Sequence, residues 1–92
     1  MRFEWDEEKR RTNLTRHGID FAELAPVFED APPYTQVDDR YDYGEERLFT
    51  LGLLKGLVVA ISHTWTGDII RIISARRASR NEEITYFKEI WN

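Results

Sequence analysis

Residues 47–75 read RLFTLGLLKGLVVAISHTWTGDIIRIISA, and the fold is decided there. Leucine, isoleucine, valine, threonine and aromatic residues fill three runs, Arg47–Leu54, Leu57–Thr66 and residues 69–75, interrupted only by Lys55-Gly56 and Gly67-Asp68. Branched and aromatic side chains suit a pleated, half-buried surface, and two-residue breaks containing glycine suit tight hairpin loops. The stretch predicts three strands joined by two consecutive hairpins, an antiparallel meander.

Upstream of the meander, residues 38–44 read as a polar loop, residues 34–37 as a further strand, and Asp30-Ala31-Pro32-Pro33 as a break. Asp20 and Glu23 make a capping-box-like start to a helix on which Phe21, Leu24, Ala25 and Phe28 recur at helical spacing. Pro26 near its first turns makes that helix short or bent. An earlier helix spans about residues 7–16, with Asp6 as N-cap, Gly18 as left-handed C-cap, and Arg16 and His17 in the last turn, where positive charge complements the helix dipole. Phe3-Glu4-Trp5 alternates as a short first strand does. Downstream, Ser79 and Glu82 form a Ser-x-x-Glu capping box ahead of Ile84, Phe87, Ile90 and Trp91, whose spacing fits a terminal amphipathic helix.

The resulting plan is α+β: a mainly antiparallel sheet of three or four strands, two N-terminal helices and a C-terminal helix. The helices are expected on one sheet face, which leaves the other face or an edge for a site. With 92 residues, 41% of them hydrophobic, the chain is expected to form a single domain over residues 1–92 around one modest core.

There is no cysteine, so disulfides and thiolate metal sites are excluded and a reducing compartment is allowed. Residues 1–6 are too short and acidic to open a secretory signal, and the longest uncharged apolar stretch, residues 56–61, cannot span a bilayer. A cytoplasmic location without membrane contact is the expectation. The net charge of −4 argues at first against a nucleic-acid partner. Its distribution says otherwise: residues 1–46 hold six Lys/Arg against thirteen Asp/Glu, whereas residues 47–80 hold six against one. Basic charge is concentrated in the β-rich segment.

Within that segment, Arg71 begins a run that ends in Arg76 and Arg77 just before a helix. A planar guanidinium binds phosphate bidentately and keeps its charge while negative charge accumulates in a phosphoryl-transfer transition state. Arg71 and Arg77 also suit solvated positions or pairing with Glu46, Glu82 or Glu83. Ser62-His63-Thr64-Trp65 lies across the second hairpin. His63 can move a proton near neutral pH and Trp65 can stack on a base, while a strand histidine and a hairpin tryptophan equally serve packing. Whether they share a face with Arg71 or with Ile70 and Ile72 turns on one residue of register. Glu45-Glu46-Arg47 enters the first strand of the meander as acids beside a base, which fits a proton acceptor or an ion pair. No zinc spacing, glycine-rich nucleotide loop or calcium-loop pattern is present, so chemistry without metal or cofactor is expected.

Taken together, Phe3-Glu4-Trp5-Asp6-Glu7 with Lys9 and Asn13, then His17-Gly18-Ile19 and Phe21, Val27-Phe28-Glu29-Asp30, Gly44-Glu45-Glu46-Arg47, and Arg71-Ile72-Ile73-Ser74-Ala75-Arg76-Arg77-Ala78 resemble the BrnT toxin family across nearly the whole chain. The resemblance implies a small RelE-like fold and an endoribonuclease toxin of a type II toxin-antitoxin system that restrains translation and growth. The implied partners are an RNA substrate and a BrnA-type antitoxin, a ribbon-helix-helix protein through which promoter DNA is reached only indirectly. Carried over residue by residue, it marks Arg71, Arg76 and Arg77 as catalytic, with Arg47 and Glu45 as further candidates. His63 is a further catalytic candidate, and Arg47, Trp65 and Arg80 are expected RNA contacts. His17 belongs to the family's His-Gly motif, and its place at a helix end also allows a structural role. The mechanism expected is metal-independent attack of the RNA 2′-hydroxyl on the adjacent phosphorus, with Arg76 and Arg77 on the non-bridging oxygens and His63 or Glu45 moving the proton. A non-catalytic co-repressor that binds the antitoxin is the competing reading. A stand-alone DNA-binding protein is disfavoured, because no helix-turn-helix or zinc pattern appears.

Overall fold

The computed structural model describes residues 1–29, 33–39 and 46–91. In chain order the elements are β1 (Arg2–Trp5), α1 (Glu7–His17), a 3₁₀ turn (Phe21–Glu23), α2 (Ala25–Glu29), β2 (Tyr34–Asp38), β3 (Arg47–Leu54), β4 (Leu57–Thr66), β5 (Ile69–Arg77) and α3 (Arg80–Trp91). The five strands form one sheet in the order β1-β5-β4-β3-β2, in which only the β1–β5 pair is parallel. The expected α+β plan and antiparallel meander are present. Both hairpin loops have two residues, and Lys55 and Gly56 both adopt positive φ, 51° and 82°, the mirror-image turn whose twist matches the flanking strands.

Local chemistry explains the helix boundaries. The Asp6 carboxylate accepts hydrogen bonds from the amides of Glu8 and Lys9, and Gly18 closes α1 at φ 73°. Glu82 N–H donates to Ser79 Oγ at 3.2 Å while Ser79 N–H donates to Glu82 Oε1 at 2.8 Å, which is the reciprocal capping box that starts α3. The expected second helix is two pieces. Pro26 has no N–H to give the carbonyl four residues back, so the chain makes a 3₁₀ turn and restarts as α2, with the proline in its first turn.

The expectation that all helices share one sheet face is corrected. Ile19, Phe21, Leu24, Val27 and Phe28, from α1's exit through α2, pack on Val59, Ile61, Ile70, Ile72 and Ala75. On the opposite face Tyr86 of α3 packs on Leu51, Val58 and Ala60. The reason lies in β3 and β4, which are apolar on both sides of their pleat at this end and need cover on both. Close approach on the first face depends on Gly52, where an added Cβ would lie 2.5 Å from Val27 Cγ1.

The inward face of α3 also differs from expectation. Tyr86 and Ile90 turn inward, whereas Ile84, Phe87 and Trp91 point outward at 55%, 46% and 62% exposure. No helix among the described residues is long and apolar enough to cross a membrane. The break expected at residues 30–33 lies largely outside the described residues, as does most of the loop at 38–44.

Candidate functional site

The site begins with an irregularity in β5. His63 of β4 pairs with Ile72, but Ser62 pairs with Ser74, so Ile73 is an extra residue, a β-bulge. Positions five apart on a regular strand point to opposite faces. The bulge reverses that parity: Arg71, opposite Thr64, and Arg76, opposite Ala60, stand on the same face. Because β1 pairs with β5 only as far as Ile72, the edge of β5 past the bulge has no neighbouring strand among the described residues. Asn13 of α1 takes that place. Its buried side chain accepts from Ala75 N–H at 3.1 Å and donates to Ala75 C=O at 2.8 Å and to Ile19 C=O at 3.0 Å.

The face so formed is the one that α3 covers at its Leu51–Ala60 end. The remainder carries Arg47 and Arg71 with Phe49, Ser62, Thr64 and Ser74, and Arg76, opposite Ala60, stands at the margin where α3 begins. At about 4.8 Å between adjacent strands, this is a polar surface some 10 Å across from β3 to β5.

Two of the three arginines are oriented by an acid. Arg71 Nη1 donates to Glu4 Oε1 at 3.3 Å, across the parallel β1–β5 pair. Arg76 forms a two-point fork on Glu82, at 2.7 and 3.0 Å, and Nη1 also donates to Arg77 C=O at 3.2 Å. Arg76, together with the Ser79 amide, holds the Glu82 carboxyl down at about 2. Arg47 pairs across the ladder with Asp38. A guanidinium carries five N–H groups, so the single contact of Arg71 with Glu4 leaves donors for a phosphate. Between β2, β3 and α3 a cleft of about 370 Å³ is lined in part by Asp38, Asp39 and Glu82, which disfavours a polyanion there.

Other sequence candidates lie elsewhere. His63, Trp65 and Arg77 stand on the opposite face, that of α1 and α2, because β4 alternates regularly and Arg77 follows Arg76 by one residue. His63 is wholly buried, with Nε2 at 2.7 Å from Thr50 Oγ1 and its ring edge-on to Phe28. Burial pushes its pKa from 6.5 to about 4, so it is neutral at pH 7. Trp65 is 42% exposed and donates to Gly67 C=O at 3.1 Å at the hairpin end. Arg80 is exposed on the first turn of α3. Glu45 lies outside the described residues. The open register question is thereby answered: His63 and Trp65 share the face of Ile70 and Ile72, not that of Arg71.

Sequence reasoning did not single out Glu4 or Asn13 for the site. Glu4 gives no local signal, since its pairing with Arg71 spans 67 positions. Asn13 is an asparagine in the middle of a helix, where its propensity is poor, and that misfit was the available clue. Among the described residues no group of three or more His, Cys, Asp or Glu side chains is placed to hold a metal ion.

The chain belongs to the BrnT family: the family model described as the ribonuclease toxin, BrnT, of a type II toxin-antitoxin system matches residues 5–82. A type II system implies a protein antitoxin as partner. No individual curated protein matches the chain.

Proposed function

We propose that this member of the BrnT family is an endoribonuclease of RelE-like fold that cleaves RNA without a metal ion on the open sheet face of Arg71 and Arg76. It restrains translation and growth until a BrnA-type ribbon-helix-helix antitoxin, the component that contacts promoter DNA, neutralises it in the cytoplasm. The observation that carries this reading is the bulge at Ile73, which puts two arginines five positions apart on one face among Ser62, Thr64 and Ser74.

In this reading the RNA 2′-oxygen attacks the adjacent phosphorus, the P–O5′ bond breaks, and the products are a 2′,3′-cyclic phosphate and a 5′-hydroxyl. DNA lacks the nucleophile. Arg71 and Arg76, each held by a carboxylate, meet the charge that builds on the non-bridging oxygens, a contribution of about 3 kcal/mol per well-placed donor. Arg47 lies toward the β3 side of the same face and contacts the next phosphate. Arg77, Trp65 and Arg80 are left to flanking nucleotides, and Glu45 remains a candidate beside Arg47.

One observation favours the competing reading of a non-catalytic co-repressor, namely that Arg71 and Arg76 already hold Glu4 and Glu82. Incubation of the purified chain with a defined RNA in EDTA decides between them. The ribonuclease reading expects cleavage with cyclic-phosphate ends by the wild type and none by Arg71→Ala/Arg76→Ala. Intact RNA with tight antitoxin binding establishes the co-repressor.

A further inference from the structure

A groove of about 450 Å³ lies between α1 and the bulged edge of β5. It is lined from the helix by Lys9, Arg16 and His17, and from the strand by Ile73 and Ser74. Helical spacing explains the cluster, since positions 9, 13, 16 and 17 fall on one side of an α-helix. Asn13, the buried member of that side, ties it to Ala75 and so sets the other three along the groove opposite the bulge. Ser74 is common to the groove and to the arginine face, where it pairs with Ser62. The groove is thus the continuation of the arginine face over the free edge of the sheet.

The charges in the groove differ in kind from those on the face. Arg71 and Arg76 hold carboxylates, whereas among the described residues Lys9, Arg16 and His17 have no ion-pair partner. The acids that also line the groove are Asp6, the N-cap of α1, and Glu8 in its first turn, and the Asp6 carboxylate is engaged in capping the helix. The facing strand adds no charge. The 3₁₀ turn, which also packs on α1, follows Asp20 and contains Glu23, and these acids are held by Arg10 and Lys55. Of the two histidines in the chain, His17 is exposed and His63 is sealed in the core.

We infer that this groove is a second RNA-contacting subsite, in which Lys9 and Arg16 hold a backbone phosphate next to the scissile one and His17 is the proton carrier of cleavage. The inference rests on the ribonuclease reading. The His17 imidazole takes the 2′-hydroxyl proton as that oxygen bonds to phosphorus. The P–O5′ electron pair passes to O5′, which takes a proton from water, and the imidazolium returns its proton to the hydroxide so formed. No group is left altered, and no metal or co-reactant other than water enters.

The test is single-turnover cleavage of a short single-stranded RNA by the full-length chain over about pH 5 to 8, the range in which histidine side chains change charge. His17→Ala is expected to slow cleavage by about 10²- to 10⁴-fold and to flatten the pH profile, and added imidazole to restore part of the rate. His17→Gln, which retains a polar side chain at the helix end, is expected to be as slow but not rescued. Lys9→Gln/Arg16→Gln is expected to weaken binding of an uncleavable 2′-deoxy strand and to lower the salt slope by about 0.7 per lost phosphate contact. If the wild type cleaves while His17→Ala keeps its rate, or loses rate with an unchanged pH profile and no imidazole rescue, the inference is overturned and the ribonuclease reading stands. A wild type that cleaves nothing overturns both.

Discussion

Asn13 on α1 holds both the N–H and the C=O of Ala75 on β5, at 3.1 and 2.8 Å, two residues past the bulge. One side chain thus does there what a neighbouring strand does elsewhere in the sheet, and it holds β5 in the register that sets Arg76 on the same face as Arg71. An amide suits the task because it is donor and acceptor at once.

Replacing Asn13 by leucine keeps the volume but strands two buried carbonyls and one buried amide. At about 1 kcal/mol or more for each unsatisfied group, a loss of about 3 kcal/mol is expected in urea unfolding. Asn13→Asp, which cannot donate to Ala75 C=O or Ile19 C=O when ionised, is expected to be as damaging at pH 7. Stability within 1 kcal/mol of wild type for the leucine variant would sink the clamp argument.

Gly52→Ala tests the close approach of α2. The methyl group would sit 2.5 Å from Val27 Cγ1, so the helix must shift or Val27 must leave its position. Overpacking of this kind costs about 1 to 3 kcal/mol. Val27→Ala in the same chain relieves the clash, so the double variant is expected to lose less than the two single losses together, measured by thermal or urea unfolding.

The meander, the caps and the terminal helix were legible because their causes are local: alternation, glycine in two-residue turns, and a Ser-x-x-Glu box. The faces were not. The outward turn of Ile84, Phe87 and Trp91 depends on which side of α3 Tyr86 occupies, and an apolar stripe on each side of a helix looks like one broad stripe in sequence. The cover on both sheet faces was missed because an apolar run in β4 fits either a strand buried on both sides or a simple alternating one. In the site, Arg71 and Arg76 were named from residue type, position and the family resemblance, but their shared face depends on one extra residue at Ile73. Nothing local distinguishes a bulged from a regular RIISAR, and the same ambiguity left His63 and Trp65 without an assigned face until the ladder was known.

Acid sensitivity should come in two steps. His63 is held neutral in the fold, its pKa pushed from 6.5 to about 4 by burial, so the unfolded chain takes up that proton first as pH falls. Stability is therefore full above about pH 6.5, declines between 6.5 and 4, and by then has lost up to about 3 kcal/mol. The Glu82 carboxyl, ordinarily near 4.5 and held at about 2 by Arg76, gives a second decline between those values. Urea unfolding across the pH range checks both. His63→Gln is expected to abolish the upper step and retain the lower one, and a variant that keeps the upper step would refute the assignment to His63.

The pairing of Arg76 with Glu82 gives the sharpest separation of function from structure. Glu82 caps α3 through Ser79 and forks on Arg76, so removing the arginine leaves the cap in place while freeing the carboxylate. Arg76→Ala is thus expected to cost only about 1 kcal/mol in unfolding, because the pair is partly exposed, yet to reduce RNA cleavage by about 10²- to 10³-fold. Glu82→Gln removes a negative charge beside the guanidinium while its side-chain oxygen can still accept from Ser79 N–H. Affinity for an uncleavable 2′-deoxy strand should then rise a few-fold, the size expected from roughly 1 kcal/mol of relieved repulsion near a surface. The two substitutions therefore move RNA affinity in opposite directions if Arg76 faces phosphate. Should both lower it together, in proportion to their loss of stability, the fork serves only to dock α3, and the arginine face is not where RNA binds.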